Sequence, residues 1–217
     1  MRKNSNTWLK VVIAIVVVEL VVGGVVFAYK KINETPDNEL STQDDLVQSL
    51  YQKIAYEDLD NIDIMNPEVM LYYGYHNIEE GKEQTINCDV VQVEEDTTGY
   101  QCNGITTFIP EADLIDAVQS VYGPNVTVNL TDFQIDQQQH GFVDTTNKGI
   151  VVFQKSEEVM ADTYNLRLVT AEQQDNKIIL TTEVLDGIYG TVKASYKYTF
   201  EQNGDQYYLV QKETVAI

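Results

Sequence analysis

Hydrophobic positions follow three patterns along the chain. There is a nearly continuous apolar run close to the start, then helical spacing over much of residues 41–122, then period-two alternation in most of the remainder. Residues 11–29, between Lys10 and Lys30, form the apolar run. At 1.5 Å per residue a helix of that length measures about 28 Å, close to the ~30 Å hydrocarbon thickness of a bilayer. The run therefore predicts a single transmembrane helix over 11–29. Trp8 and Tyr29 lie at its ends, where aromatic rings favour the membrane interface.

Residues 30–40 are polar, contain Pro36 and read as a linker. Ser41-Thr42-Gln43-Asp44 has the form of a capping box with Asp in place of Glu. Leu46, Leu50 and Ile54 follow at i, i+4 and i+8, with Val47 and Tyr51 beside them, which predicts a helix to about Tyr56. Asn66-Pro67-Glu68 combines a cap, a proline at the first helical position and an acid in the first turn, opening a second helix to Glu80 with Gly81 as its stop. Within it, Tyr72, Tyr73, Tyr75 and His76 are expected in the core, with a pocket lining as the alternative. Residues 85–93 and 100–108 read as a hairpin across 94–99. Pro110-Glu111 begins a third helix whose apolar face is Leu114, Val118 and Val121, ended by Gly123-Pro124. Strands are predicted at 126–130, 149–155, 164–168, 178–184, 192–201 and 206–215. Gln174-Asp175-Asn176 and Asn203-Gly204 form the turns of two hairpins.

The predicted class is α+β: a transmembrane helix followed by an antiparallel-sheet domain with about three helices over 41–217. The order of elements is similar to that of NTF2-like (cystatin-like) domains. That resemblance implies a curved antiparallel sheet wrapped around a helix, and it carries no particular activity with it. An alternative is two small α+β units divided near 137–147.

Charge sharpens the topology. The chain has 14 Lys and Arg against 34 Asp and Glu, a net of −20. Arg2, Lys3, Lys10, Lys30 and Lys31 flank the apolar run and Glu19 lies inside it, leaving 9 basic and 33 acidic side chains in residues 32–217. Such a domain repels phosphate backbones and anionic headgroups, which argues against nucleic-acid binding. The basic excess before the run places residues 1–10 in the cytoplasm and the domain outside it. Val26-Phe27-Ala28 leaves a cleaved signal as the alternative to an uncleaved anchor.

An acid at a membrane-helix centre costs about 2.5–3.5 kcal/mol, which the surrounding Val, Ile and Leu side chains outweigh. Glu19 is thus expected to be neutral in the bilayer, with helix–helix association its candidate role. Its setting resembles the first helix of type IV pilins over a few residues, with Ala14 and Ile15 at the Gly and Phe-like positions. Eight apolar residues precede Glu19, and the pilin processing site is missing.

Candidate chemistry is sparse. Cys88 and Cys102 sit on the two predicted hairpin strands and, in an oxidising compartment, are expected to form a disulfide. His76 and His140 are 64 positions apart and match no metal or triad pattern, and Ser120, Ser156 and Ser195 lack a nucleophile-elbow context. The run from Asp58 to Asp63 fails the EF-hand test, with Asp63 where Gly is needed and Val69 where Glu is needed. Glu94-Glu95-Asp96 reads as a charged turn. Asn125 and Asn129 begin glycosylation sequons in a predicted strand. No catalytic, cofactor or metal residue is assigned. The sequence points to a membrane-anchored extracytoplasmic module that binds a surface protein or a cation. The alternative is an extracytoplasmic hydrolase built on carboxylates or a histidine.

Overall fold

The computed structural model describes residues 38–56, 61–157, 164–187 and 189–216. By contacts the chain divides after Glu39, and Leu40–Ile217 forms one unit. In order the elements are β1 (Glu39–Leu40), α1 (Asp45–Gln52), α2 (Pro67–His76), β2 (Gln84–Asn87), a 3₁₀ turn (Cys88–Val90), β3 (Tyr100–Gln101) and β4 (Ile105–Pro110). There follow α3 (Glu111–Tyr122), β5 (Phe133–Gln134), β6 (Gln139–Asp144), β7 (Gly149–Lys155), β8 (Tyr164–Gln174), β9 (Lys177–Asp186), β10 (Val192–Asn203) and β11 (Gln206–Thr214). The domain is α+β with antiparallel sheets and three helices. The transmembrane segment 11–29, with Glu19, lies outside the described residues, and no described helix is long and apolar enough to cross a membrane.

There are two sheets where the NTF2-like cone has one. The first runs β1-β8-β9-β10-β11; the second runs β2-β4-β7-β6-β5, with β3 also paired to β7. Helix α3 packs against β4 and β7 of one sheet and β11 of the other. The main core joins Val47, Leu71 and Val118 of the helices to Ile109, Ile150 and Phe133 on one sheet and Leu180, Tyr198 and Phe200 on the other. Each such side chain, fully withdrawn from water, contributes about 1.5–3 kcal/mol. A second, smaller cluster of Phe142, Val151 and Phe153 lies on the opposite face of the six-stranded sheet. Because β7 is covered on both faces, it reads as a continuous apolar run instead of an alternating one.

Local chemistry explains where the elements begin and end. Helix α1 starts at Asp44, not at the predicted Ser41: the Asp44 carboxylate accepts the N–H groups of Leu46 at 2.9 Å and Val47 at 3.4 Å. Its buried face is Val47 and Leu50, with Ile54 beyond the helix end, while Leu46 is turned to solvent. Asn66 caps α2 as predicted, accepting from Glu68 N–H at 2.9 Å. The helix ends at His76, short of Glu80, because the Asn77 amide donates to the Tyr73 carbonyl at 2.8 Å and to the Lys53 carbonyl at 3.0 Å. Gly123 ends α3 with a φ of 102° that favours glycine.

The predicted 85–93/100–108 hairpin is corrected. β2 pairs with β4 only from Gln84 to Asn87, and β3 leaves this ladder to pair with β7. The chain between Cys88 and Gly104 forms a loop beside β7. Residues 126–130 join no sheet among the described residues, while residues 137–147, where a domain division was an alternative, form β6 and its turn to β7. The two predicted turns at 174–176 and 203–204 connect β8–β9 and β10–β11.

Candidate functional site

Cys88 and Cys102 form a disulfide with their Cα atoms 5.7 Å apart. They stand just beyond the β2–β4 ladder, where the Cys88 N–H donates to the Gly104 carbonyl at 2.9 Å, and not opposite one another on two strands as expected. The loop they close carries Val91, Val93 and Tyr100 onto the outer cluster of Phe142, Val151 and Phe153. Its other ties are the Asn147 amide donating to the Val90 carbonyl at 3.2 Å and an isolated bridge from Val93 to Asp144. Asp144 itself is fully buried, its carboxylate accepting the N–H groups of Thr146 and Asn147 at 3.0 Å each and the Asn147 amide at 2.7 Å.

The two histidines occupy different aromatic settings. His76, at the end of α2, stacks on Tyr56 at 4.4 Å and meets the rings of Tyr72 and Tyr75 edge-on. Burial lowers its pKa, opposed by a hydrogen bond with the Ile135 backbone and by the charge of Asp136. The neighbouring Tyr75 hydroxyl is pushed up to about 12 by burial and by Glu83 and Asp136. His140, on β6, lies against Tyr100 and Phe142. Burial lowers its pKa too; Asp132 and Glu68 oppose this, and Lys155 adds to it. His76 Nε2 and His140 Nδ1 are buried with no hydrogen-bond partner among the described residues. No hydrogen bond from either ring to a serine or a carboxylate is present among the described residues.

The other sequence candidates do local work. Ser120 Oγ donates to the Ala117 carbonyl at 2.7 Å and Ser195 Oγ to the Thr182 carbonyl at 3.0 Å. Asp63 accepts from Met65 N–H at 3.1 Å, and Asp96 from the N–H and hydroxyl of Thr98 at 2.9 and 2.5 Å. The Thr98 hydroxyl bond holds the Asp96 carboxyl below the usual range. Tyr72 and Tyr73 are in the core, as expected. Among the described residues no group of three or more His, Cys, Asp or Glu is placed to hold a metal. Asn125 and Asn129 are exposed, in the segment outside both sheets rather than in a strand.

Two clefts remain. One, of about 130 Å³, lies between the end of α2 and α3, lined by Asn77, Glu79, Asp113 and Asp116, with Lys82 paired to Asp113 at 3.0 Å. The other, of about 250 Å³, lies between Met65, Pro67 and Met70 and the chain from Val126 to Asn129. Sequence reasoning missed both. The acidity around the first was legible in composition, but the second is made by a strand-like segment that finds no sheet. No family model matches the chain, and neither a curated protein nor a solved structure does.

Proposed function

We propose that the chain is a single-pass membrane protein whose acidic domain works outside the cytoplasm as a binding module. Residues 1–10 are cytoplasmic, 11–29 span the bilayer, 30–40 form the linker and 41–217 recognise a basic surface protein or a cation. The observation that carries this reading is the Cys88–Cys102 disulfide. Such bonds persist in oxidising compartments, and this one sits in a domain that follows an apolar run of bilayer length. Charge supports the choice of partner: Lys82 is the only Lys or Arg between Lys53 and Lys148. Alkaline carbonate extraction of host membranes tests the anchor. The full chain is expected in the pellet, and its release into the supernatant would contradict the reading.

Glu19 fits the same picture as a neutral carboxyl offering a hydrogen bond to a second transmembrane helix, worth about 1 kcal/mol. In a helix-association assay on residues 8–31, Glu19→Leu is expected to weaken association and Glu19→Gln to keep it. Equal monomeric signal from all three would remove Glu19 from any role in assembly.

A further inference from the structure

Between α3 and β5, residues 126–130 follow a turn and belong to no sheet among the described residues. Val126, Val128 and Leu130 turn toward the core while Thr127 and Asn129 are exposed, the alternation of a strand. Val126 N–H donates to the Gly123 carbonyl at 3.3 Å; beyond it, Thr127 through Thr131 form no backbone–backbone hydrogen bond among the described residues. Backbone donors and acceptors left this way are a template for another strand.

The cleft of about 250 Å³ runs along this template. Successive side chains of an extended chain point to opposite faces. Val126, Thr127, Val128 and Asn129 all line the cleft, so it follows the edge of the backbone, where N–H and C=O groups point, rather than one face. Across it stand Met65, which is 54% exposed, and Met70, unbranched side chains that adapt to varied apolar groups. Acidic side chains outnumber basic ones around it. Asp63 precedes Met65, Glu68 lies between Met65 and Met70, and Asp132 follows the segment; Glu68 and Asp132 both act on His140, as does the cation Lys155.

We propose that this cleft receives an extended, lysine- or arginine-bearing segment of a partner protein. That segment adds as a strand along 127–131 and sets an apolar side chain against Met65 and Met70. Main-chain hydrogen bonds hold it, the methionine wall selects an apolar residue, and the acidic surroundings favour basic residues at the alternate positions. The inference rests on the binding-module reading for the existence of a partner. It does not depend on which side of the membrane the domain lies.

The test uses the full chain in zwitterionic lipid nanodiscs, titrated with a fluorescent peptide of alternating lysine and valine. A second peptide of the same sequence carries N-methyl groups on the amides of one edge, keeping charge and side chains while removing donors. Saturable binding is expected, weakened about tenfold or more by N-methylation, which corresponds to the loss of one or two hydrogen bonds. Val128→Pro and Met65→Ser, each checked for an unchanged melting curve, are expected to weaken binding as well. Met65→Ser at an exposed position removes the apolar wall without adding charge and keeps the test sound if the proline variant fails to fold. Equal binding of both peptides, indifference to both variants, or no binding would overturn the proposal. So would a concentration-dependent dimer that excludes the peptide, which would make a second copy the occupant. Should carbonate release the chain, the same titration is run on the full chain in solution, so the two readings fail separately.

Discussion

Lys53 shows how one side chain joins three elements. At the end of α1 it donates to the Ser120 carbonyl in the last turn of α3 at 2.6 Å and to the Tyr207 carbonyl of β11 at 3.3 Å. Its ammonium also lies 5.6 Å from the Tyr208 ring, and burial lowers its pKa. Lys53→Met keeps most of the stem and loses both bonds, so urea unfolding is expected to show a loss of about 1–3 kcal/mol. The histidines give a pH signature. Their folded pKa values lie below the ordinary value of about 6.5, so on acidification the unfolded chain takes up protons first. Stability is therefore full above about pH 6.5 and falls as pH drops toward the folded values. Comparing wild type with a His76→Phe, His140→Phe variant across pH 7 to 5 isolates this effect from the relief of carboxylate repulsion. The variant is expected to have the flatter profile, and superimposable profiles would remove the histidines from the pH response. Sequence pattern alone could not have placed Lys53, which acts on the distant Ser120 and Tyr207 carbonyls, or the bond from Asn77 to the Lys53 carbonyl.

Among the elements, the helix crossing and the disulfide loop make the clearest predictions. A Cβ on Gly74 of α2 would stand 2.4 Å from Val118 Cγ2 and 3.3 Å from the Val118 nitrogen of α3. Gly74→Ala thus forces the helices apart and is expected to cost about 1–3 kcal/mol by calorimetry or denaturant. Replacing both cysteines by serine frees a loop with a sequence separation of 14, and the chain-entropy model gives a loss of about 3 kcal/mol. Hydrogen exchange should quicken in residues 88–104 and at the outer face of β6 and β7, and no change there would mean that the remaining ties hold the loop. β8, β9 and β10 were legible because each shows period two, most plainly in Tyr196, Tyr198 and Phe200 against Lys197 and Glu201, and β11 followed from the Asn203-Gly204 turn. α3 was legible from its spacing and its glycine stop. β5 and β6 were not: residues 134–141 are mostly Gln, Asp, His and Gly, and their strand character comes from the pairing of β6 with β7 and of β5 with β6. Residues 126–130 misled in the opposite direction, since their alternation is real but they pair with no strand among the described residues.

At the scale of the whole molecule, an apolar run, a disulfide and a strongly acidic domain support the proposed topology. The disulfide was legible from spacing and compartment, although the ladder beside it was misplaced. The clefts were not legible, because they depend on where α2 meets the chain after α3. The topology has a direct test, since the disulfide leaves no native thiol to interfere: Cys88 and Cys102 are the only cysteines, and they are bonded to each other. Asn38→Cys places a single free thiol where the linker meets the domain. Labelling of intact cells with a membrane-impermeant maleimide is predicted to modify that thiol before lysis. Protection in intact cells, with labelling only after lysis, would contradict the account.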